Sequence, residues 1–246
     1  MRNAEDWKPS KFVFFRGRLA GSRDTREVGI SSRIMADEVA ALYQSHLKTY
    51  ARGRLADLGC GKVPLLAAYR EYVTDVICVD WSNSIHPNKH LDVACDLSGP
   101  LPLETESIDT IILSDVLEHL SQPASLWKEM ARLLTRSGHV IMNVPFYYPI
   151  HEAPYDFYRY TEFALRRFAE SSGFRVVILV PIGGVPEILA DITAKNIQQL
   201  RWIGPLIAGF IQKTCSLFLK TSPGRKLSER TAKIFPFGYF MVAQKQ

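Results

Sequence analysis

The sequence predicts a doubly wound, Rossmann-like α/β fold built on a seven-stranded, mostly parallel sheet. Three observations predict it. Short apolar runs alternate with amphipathic stretches along most of the chain. A tight Gly59-Cys60-Gly61 turn follows the first of those runs, and an acid, Asp80, ends the second.

Taken in order, residues before about Lys11 read as a loose arm, and Arg16 to Ser32, rich in Arg and Gly, as an ordered loop at best. Met35, Val39, Leu42, Tyr43 and Leu47 then recur at helical spacing, with Ser31 or Ser32 available as the cap. Strands are expected at Arg54 to Leu58, Val73 to Val79, Ile108 to Leu113, His139 to Val144, Phe174 to Val180 and Gly238 to Ala243. Leu126, Trp127, Met130, Leu133 and Leu134 define one helix between them, opened by Ser121 with Pro123 in its first turn and closed by Gly138. Phe163, Leu165, Phe168 and Ala169 define another, which ends at Gly173. The segment 181–230 interrupts the alternation and reads as two amphipathic helices broken at Gly204-Pro205. The expected organisation is one domain over 1–246: an N-terminal helical arm (1–50), a core (51–180), a helical insertion (181–230) and a final strand (231–246).

Composition narrows the class. With 47% apolar and 22% charged residues the chain is globular rather than disordered. The net charge of +5 and pI of about 9.0 favour anionic partners mildly, but Lys and Arg are scattered and nucleic-acid binding is not indicated. Cys60, Cys78, Cys95 and Cys215 form no CxxC pair, no residue is assigned to a metal, and a reducing cytoplasm fits best. Asp6, Lys8 and Lys11 break any secretory stretch at the start, and the longest apolar run, Trp202 to Ile211, is about half of what a bilayer requires.

The chemistry is concentrated in Leu55-Ala56-Asp57-Leu58-Gly59-Cys60-Gly61, an apolar strand ending in an acid and then a glycine turn. Glycines let a ligand approach the backbone, and an acid nineteen positions past Gly61, at Asp80, can accept both hydroxyls of a ribose. Together they indicate an adenosine-containing cofactor. A dinucleotide fingerprint would continue to a third glycine and seat a pyrophosphate, yet that position is Pro64, which has no N–H to offer. Asp57 would repel a pyrophosphate and attract an ammonium.

In these residues the chain resembles the class I S-adenosylmethionine-dependent methyltransferases, in particular those of the type 11 kind, over roughly Arg54 to Val180. The resemblance implies S-adenosyl-L-methionine as cofactor, with Asp57, Gly59, Cys60 and Gly61 beneath its methionine part and Asp80 on the ribose. It places Trp81 near the adenine, Asp96 and Leu97 near the adenine amino group, and Ser114 and Asp115 beside the sulfonium. Val63 stands where many members carry a further glycine.

Methyl transfer from a sulfonium depends largely on holding the acceptor aligned, and a base helps when the acceptor is a hydroxyl. His119 is one candidate base. The segment His151-Glu152-Ala153-Pro154-Tyr155-Asp156-Phe157-Tyr158-Arg159 supplies another in His151, with Asp156 as a catalytic partner and Tyr158 and Arg159 as candidate acceptor contacts. This segment also resembles one found in methyltransferases of bacterial glycan pathways, which implies a small-molecule or glycan acceptor. Apolar residues between 188 and 220, interspersed with Lys195, Arg201, Lys213 and Lys220, suit a cap over the cleft, a dimer contact or a peripheral membrane contact. Two other readings stay open at this level: a non-catalytic methyltransferase-like protein, and a nicotinamide-dependent oxidoreductase on the same fold.

Overall fold

A computed structural model describes residues 1–82 and 89–246. It contains a seven-stranded sheet and a two-stranded one, and the chain divides into two compact units. The first unit comprises Met1–Pro9, Ser45–Val180 and Tyr239–Gln246, and the second comprises Ser10–Gln44 and Pro181–Gly238.

In the second unit, β1 (Phe12–Phe15) and β2 (Arg18–Gly21) form a hairpin where the sequence suggests only a loop. Its turn residues Arg16 and Gly17 both take positive φ, 51° and 75°, the turn geometry that matches strand twist. Arginine is an unusual occupant of the first position, so the turn carries no conventional signal. Gly21 packs so closely on Ala36 that an added Cβ would lie 2.5 Å from the Ala36 Cβ, and its N–H donates to Asp37. Ala36 and Asp37 belong to α1 (Arg33–Tyr50), which buries Met35, Val39, Tyr43 and Leu47 as their spacing predicts.

The remainder of this unit is helical. Three helices, not two, follow residue 181: α5 (Val185–Ile197), α6 (Gly204–Leu219) and α7 (Ser222–Ala232). The additional one, α7, is too polar to show as an apolar stripe, and it starts from Thr221, whose hydroxyl accepts the Gly224 N–H. Buried Gln212 of α6 ties the two sequence segments together, donating to the Ser31 carbonyl and accepting from the Ile34 N–H. Leu206 and Phe210 of α6, with Trp202 just before it, remain largely exposed. Among the described residues no helix is long and apolar enough to cross a membrane.

The first unit holds most of the large sheet, in the order β5-β4-β3-β6-β7-β9-β8: β3 (Arg54–Leu58), β4 (Asp75–Asp80), β5 (Val93–Ala94), β6 (Ile108–Ser114), β7 (Leu134–Pro145), β8 (Phe174–Ile182) and β9 (Gly238–Lys245), the last two running on into the second unit. β3 pairs in parallel with β4 and with β6, β4 with β5, and β6 with β7. The chain works outward from β3 to β5 and restarts at β6, so the order reverses between β3 and β6. A crevice at the carboxyl ends of those two strands is where this topology binds ligands.

Short helices α2 (Leu66–Tyr69), α3 (Pro123–Leu133) and α4 (Glu162–Ser171) complete the unit. Trp127 of α3 is fully buried edge-on against Phe174. Here the sequence reading needs a correction: α3 stops at Leu133, and Leu134 and Gly138 lie in β7. The register jumps between Ile108↔Leu134 and Thr110↔His139, and Ser137 bulges at φ 62°. Gly138 is needed in that bulge because a Cβ would press on the Leu134 side chain and two backbone carbonyls. The N-terminal arm is also tied down rather than loose: Trp7 Nε1 donates to the Val63 carbonyl at 3.1 Å and Asn3 Nδ2 to that of Lys89 at 2.8 Å.

Candidate active site

The crevice is built first by the loop after β3. Gly59 has φ 70°, and a Cβ there would lie 2.4 Å from Val116 Cγ2, so only glycine lets this loop pass the one after β6. Gly61 also takes a positive φ, and so does Val63, at 53°. Val63 therefore keeps the backbone shape a glycine would give, as a fully buried β-branched residue whose carbonyl is held by Trp7. Cys60 is buried, and its contact with Cys78 together with that burial holds its thiol protonated.

Carboxylates frame the loop. Asp57 is buried at its base, accepts from Tyr69 Oη at 2.9 Å, and is pushed up to about 7 by burial against that hydrogen bond. Asp80, ending β4, accepts the Gly61 N–H at 2.8 Å and the Trp81 N–H at 2.7 Å, which fixes its carboxylate toward the loop. Asp96 is exposed and accepts the Ser98 N–H, while Leu97 is buried in the core. Trp81 meets Tyr155 edge-on at 5.1 Å, linking the end of β4 to the segment after β7.

The loop after β6 is organised by Asn143, a buried residue on β7 in register with Ser114. Its Oδ1 accepts from Ser114 Oγ at 2.8 Å and its Nδ2 donates to Asp115 Oδ1 at 2.6 Å. Sequence reasoning assigned Asn143 no role. It was legible only as a polar residue at the end of an apolar strand.

Glu118, fully buried, was also missed, because in the segment Ser114 to Leu120 the sequence singles out only Ser114, Asp115 and His119. Its backbone carbonyl accepts the N–H groups of Phe157 and Tyr158, and Tyr160 Oη donates to the Leu117 carbonyl. These bonds stitch the segments after β6 and β7 together. His119 Nε2 and His151 Nε2 consequently stand 3.8 and 3.9 Å from Glu118 Oε1, with the two rings 4.7 Å apart. The other ring nitrogens are engaged: His119 Nδ1 is 2.7 Å from the Tyr155 carbonyl, and His151 Nδ1 is 3.2 Å from that of Pro149.

Asp156 accepts the backbone N–H of His151 and a two-pronged contact from Arg159, at 2.6 and 2.8 Å. The guanidinium holds this carboxyl well below the usual carboxylate range. Arg159 donates further to the carbonyls of Tyr148, Pro149 and Tyr158, and Tyr158 Oη donates to the Ser121 carbonyl. The structure thus brings His119, His151 and Asp156 together between the segments after β6 and β7, and spends the Arg159 fork within the latter segment itself.

The donor set fits a cation-bearing nucleoside rather than a nucleotide. Asp57 and Asp80 lie at the carboxyl ends of β3 and β4, and Asp96 and Asp115 just beyond β5 and β6. A sequence-family profile described as "Methyltransferase domain" matches residues 56–142, which hold all of these acids. Residues 56–142 carry a methyltransferase domain, and the chain is an S-adenosylmethionine-dependent methyltransferase. Its cofactor is S-adenosylmethionine.

Solved structures share the methyltransferase's fold at low identity. A Mesorhizobium loti S-adenosylmethionine-dependent methyltransferase is 16% identical with TM-score 0.52, covering 82% of this chain and 95% of that one. A Haemonchus contortus N-methyltransferase, in complex with phosphomonomethylethanolamine and S-adenosylhomocysteine, is 15% identical with TM-score 0.52, covering 91% of this chain and 58% of that one. The [4+2]-cyclase SpnF is 17% identical with TM-score 0.53, covering 85% and 82%. No curated protein matches the sequence significantly. That a cyclase shares the architecture shows why the reaction must be argued from the site.

Proposed function

We propose that the methyltransferase transfers its methyl group to a hydroxyl of a small polar acceptor, a sugar or other glycan unit. The observation that supports this most is the pair of imidazoles, His119 and His151, facing one buried carboxylate at the carboxyl ends of β6 and β7. S-adenosylmethionine supplies a methyl group already activated on a positively charged sulfur. The chain's own residues then have to bind, align and manage one proton.

Asp57 holds the ammonium of the methionine part, Asp80 the ribose hydroxyls, and Asp96 the adenine amino group beside Leu97 and Trp81. Ser114 and Asp115, fixed by Asn143, form the wall next to the sulfonium. His119 and His151 orient the acceptor hydroxyl and take up its proton, and Asp156 with Arg159 positions His151 rather than reacting. Exposed rings of Tyr155 and Tyr158 offer the faces on which a sugar ring packs.

The test is an acceptor screen with methyl-labelled cofactor against mono- and oligosaccharides, amines and other small hydroxyl compounds, followed by product analysis. Oxygen-linked label on a sugar is expected. Label found only on amine nitrogen would overturn the hydroxyl assignment.

A further inference from the structure

Three potential ligand atoms converge beside the crevice, one each from Glu118, His119 and His151, all within 4.8 Å of one another. The tautomers follow from their neighbours. A carbonyl oxygen can only accept, so the carbonyls of Tyr155 and Pro149 place the proton of each neutral ring on Nδ1. Both Nε2 lone pairs are then left aimed at Glu118 Oε1, at 3.8 and 3.9 Å, too far for a hydrogen bond. Two imidazole lone pairs and a carboxylate oxygen converge on one spot, and all three attract a cation placed there.

We propose that Glu118, His119 and His151 bind a divalent transition-metal ion. Histidines held through Nδ1–H by carbonyl oxygens, as both are here, are the usual arrangement of metal-bound imidazole. Two nitrogens and one oxygen suit zinc, cobalt, iron or manganese rather than magnesium or calcium, which prefer oxygen alone. Ligands about 2.1 Å from an ion stand about 3.4 Å apart in a tetrahedral site. The distances from Glu118 Oε1 to the two Nε2 atoms, 3.8 and 3.9 Å, lie about half an ångström above that value.

The surroundings are built to hold this geometry. Glu118 is fixed through its backbone carbonyl by Phe157 and Tyr158, and Asp156, itself clamped by Arg159, lies 3.3 Å from His151 Nδ1. Three protein ligands leave coordination positions open, and an ion there binds an acceptor oxygen and makes its hydroxyl more acidic; with the ion bound, the proton leaves to solvent rather than to His119 or His151, which then act as ligands. That use of the ion rests on the methyltransferase reading above, whereas the binding itself does not.

The experiment titrates the full-length, metal-stripped protein with Zn²⁺ by calorimetry and with Co²⁺ by visible absorption. One ion per chain is expected, with the intense visible bands of a low-coordinate Co²⁺ site. Glu118→Gln and His151→Ala should each weaken binding by more than about tenfold, the loss already seen when only a ligand's supporting group is removed. If Glu118→Gln does not fold, His119→Ala and His151→Ala carry the comparison. S-adenosylhomocysteine is titrated separately into the metal-free protein. Binding of it without stoichiometric metal overturns the metal site and leaves the cofactor reading standing; metal binding without it does the reverse. Equal metal affinity in the Glu118→Gln/His151→Ala double variant also overturns the site.

Discussion

Asn143 and Asp115 are joined twice: the Asn143 Nδ2 donates to Asp115 Oδ1 at 2.6 Å, and the Asp115 N–H donates to the Asn143 carbonyl at 3.1 Å. Asp115 is held at φ 53°, a conformation that non-glycine residues adopt only when their surroundings enforce it. One side chain on β7 therefore sets the shape of the loop after β6, and it does so at the reversal of strand order where this topology binds ligands.

Replacing that side chain tests the arrangement. Asn143→Ala removes the partner of both Ser114 and Asp115, and the loss of a buried, charge-assisted hydrogen bond costs about 1–3 kcal/mol. A lower melting temperature and a drop of roughly tenfold in S-adenosylhomocysteine affinity are expected. Calorimetry showing unchanged affinity would mean the Asp115 conformation does not matter to the ligand.

Gly59 is bound to Val116 by exclusion rather than attraction. Gly59→Ala brings a methyl group to 2.4 Å from Val116 Cγ2 in a backbone conformation that already disfavours side chains. Strain of this kind costs about 1–3 kcal/mol, and the loop must shift away from its ligand-binding shape. Cofactor affinity should fall at least tenfold, and Val116→Ala in the same chain should restore part of it. No rescue by the second substitution would show that backbone conformation, not the contact, is what Gly59 provides.

What the sequence makes legible follows from how local each cause is. The β3 strand and its glycine bend are written in consecutive residues, and the structure reproduces Arg54–Leu58 without a shift. Asp80 is legible because a parallel strand must end at the same edge as its neighbour. The β1–β2 hairpin is not legible, because Arg16 takes a conformation normally reserved for Asn or Gly and the structure around it enforces that. Gly138 misleads because a glycine after a helical stripe marks either a helix stop or a bulge, and only the register of β7 on β6 distinguishes them. Glu118 and Asn143 escape because a single polar residue in an apolar run acquires meaning only from partners many positions away.

Asp57 predicts a pH dependence. Its carboxyl is pushed up to about 7 by burial, from 3.8 in the unfolded chain. Between those values the folded protein keeps a proton that the unfolded chain has lost, so this group's contribution to stability declines as pH rises from about 4 to about 7 and is level above. An ammonium-bearing ligand favours the ionised form, so its affinity moves the opposite way. S-adenosylhomocysteine should bind about tenfold more tightly at pH 8 than at pH 6, following the ionised fraction of a group titrating near 7. Asp57→Asn should flatten that profile. A wild-type affinity independent of pH would remove Asp57 from the ammonium site.

Arg159 separates positioning from acceptor binding. Its guanidinium grips both oxygens of Asp156 and three backbone carbonyls, a planar fork that the ammonium of lysine cannot reproduce. Arg159→Lys keeps the charge but loosens Asp156 and, through its bond to the His151 N–H, the ring of His151. If the role is positioning, kcat falls by roughly tenfold or more while the KM for the acceptor and the Kd for S-adenosylhomocysteine change little. If Arg159 instead binds an anionic group on the acceptor, KM rises and kcat holds. Steady-state kinetics with any acceptor found in the screen distinguishes the two, and an unchanged kcat would overturn the positioning role.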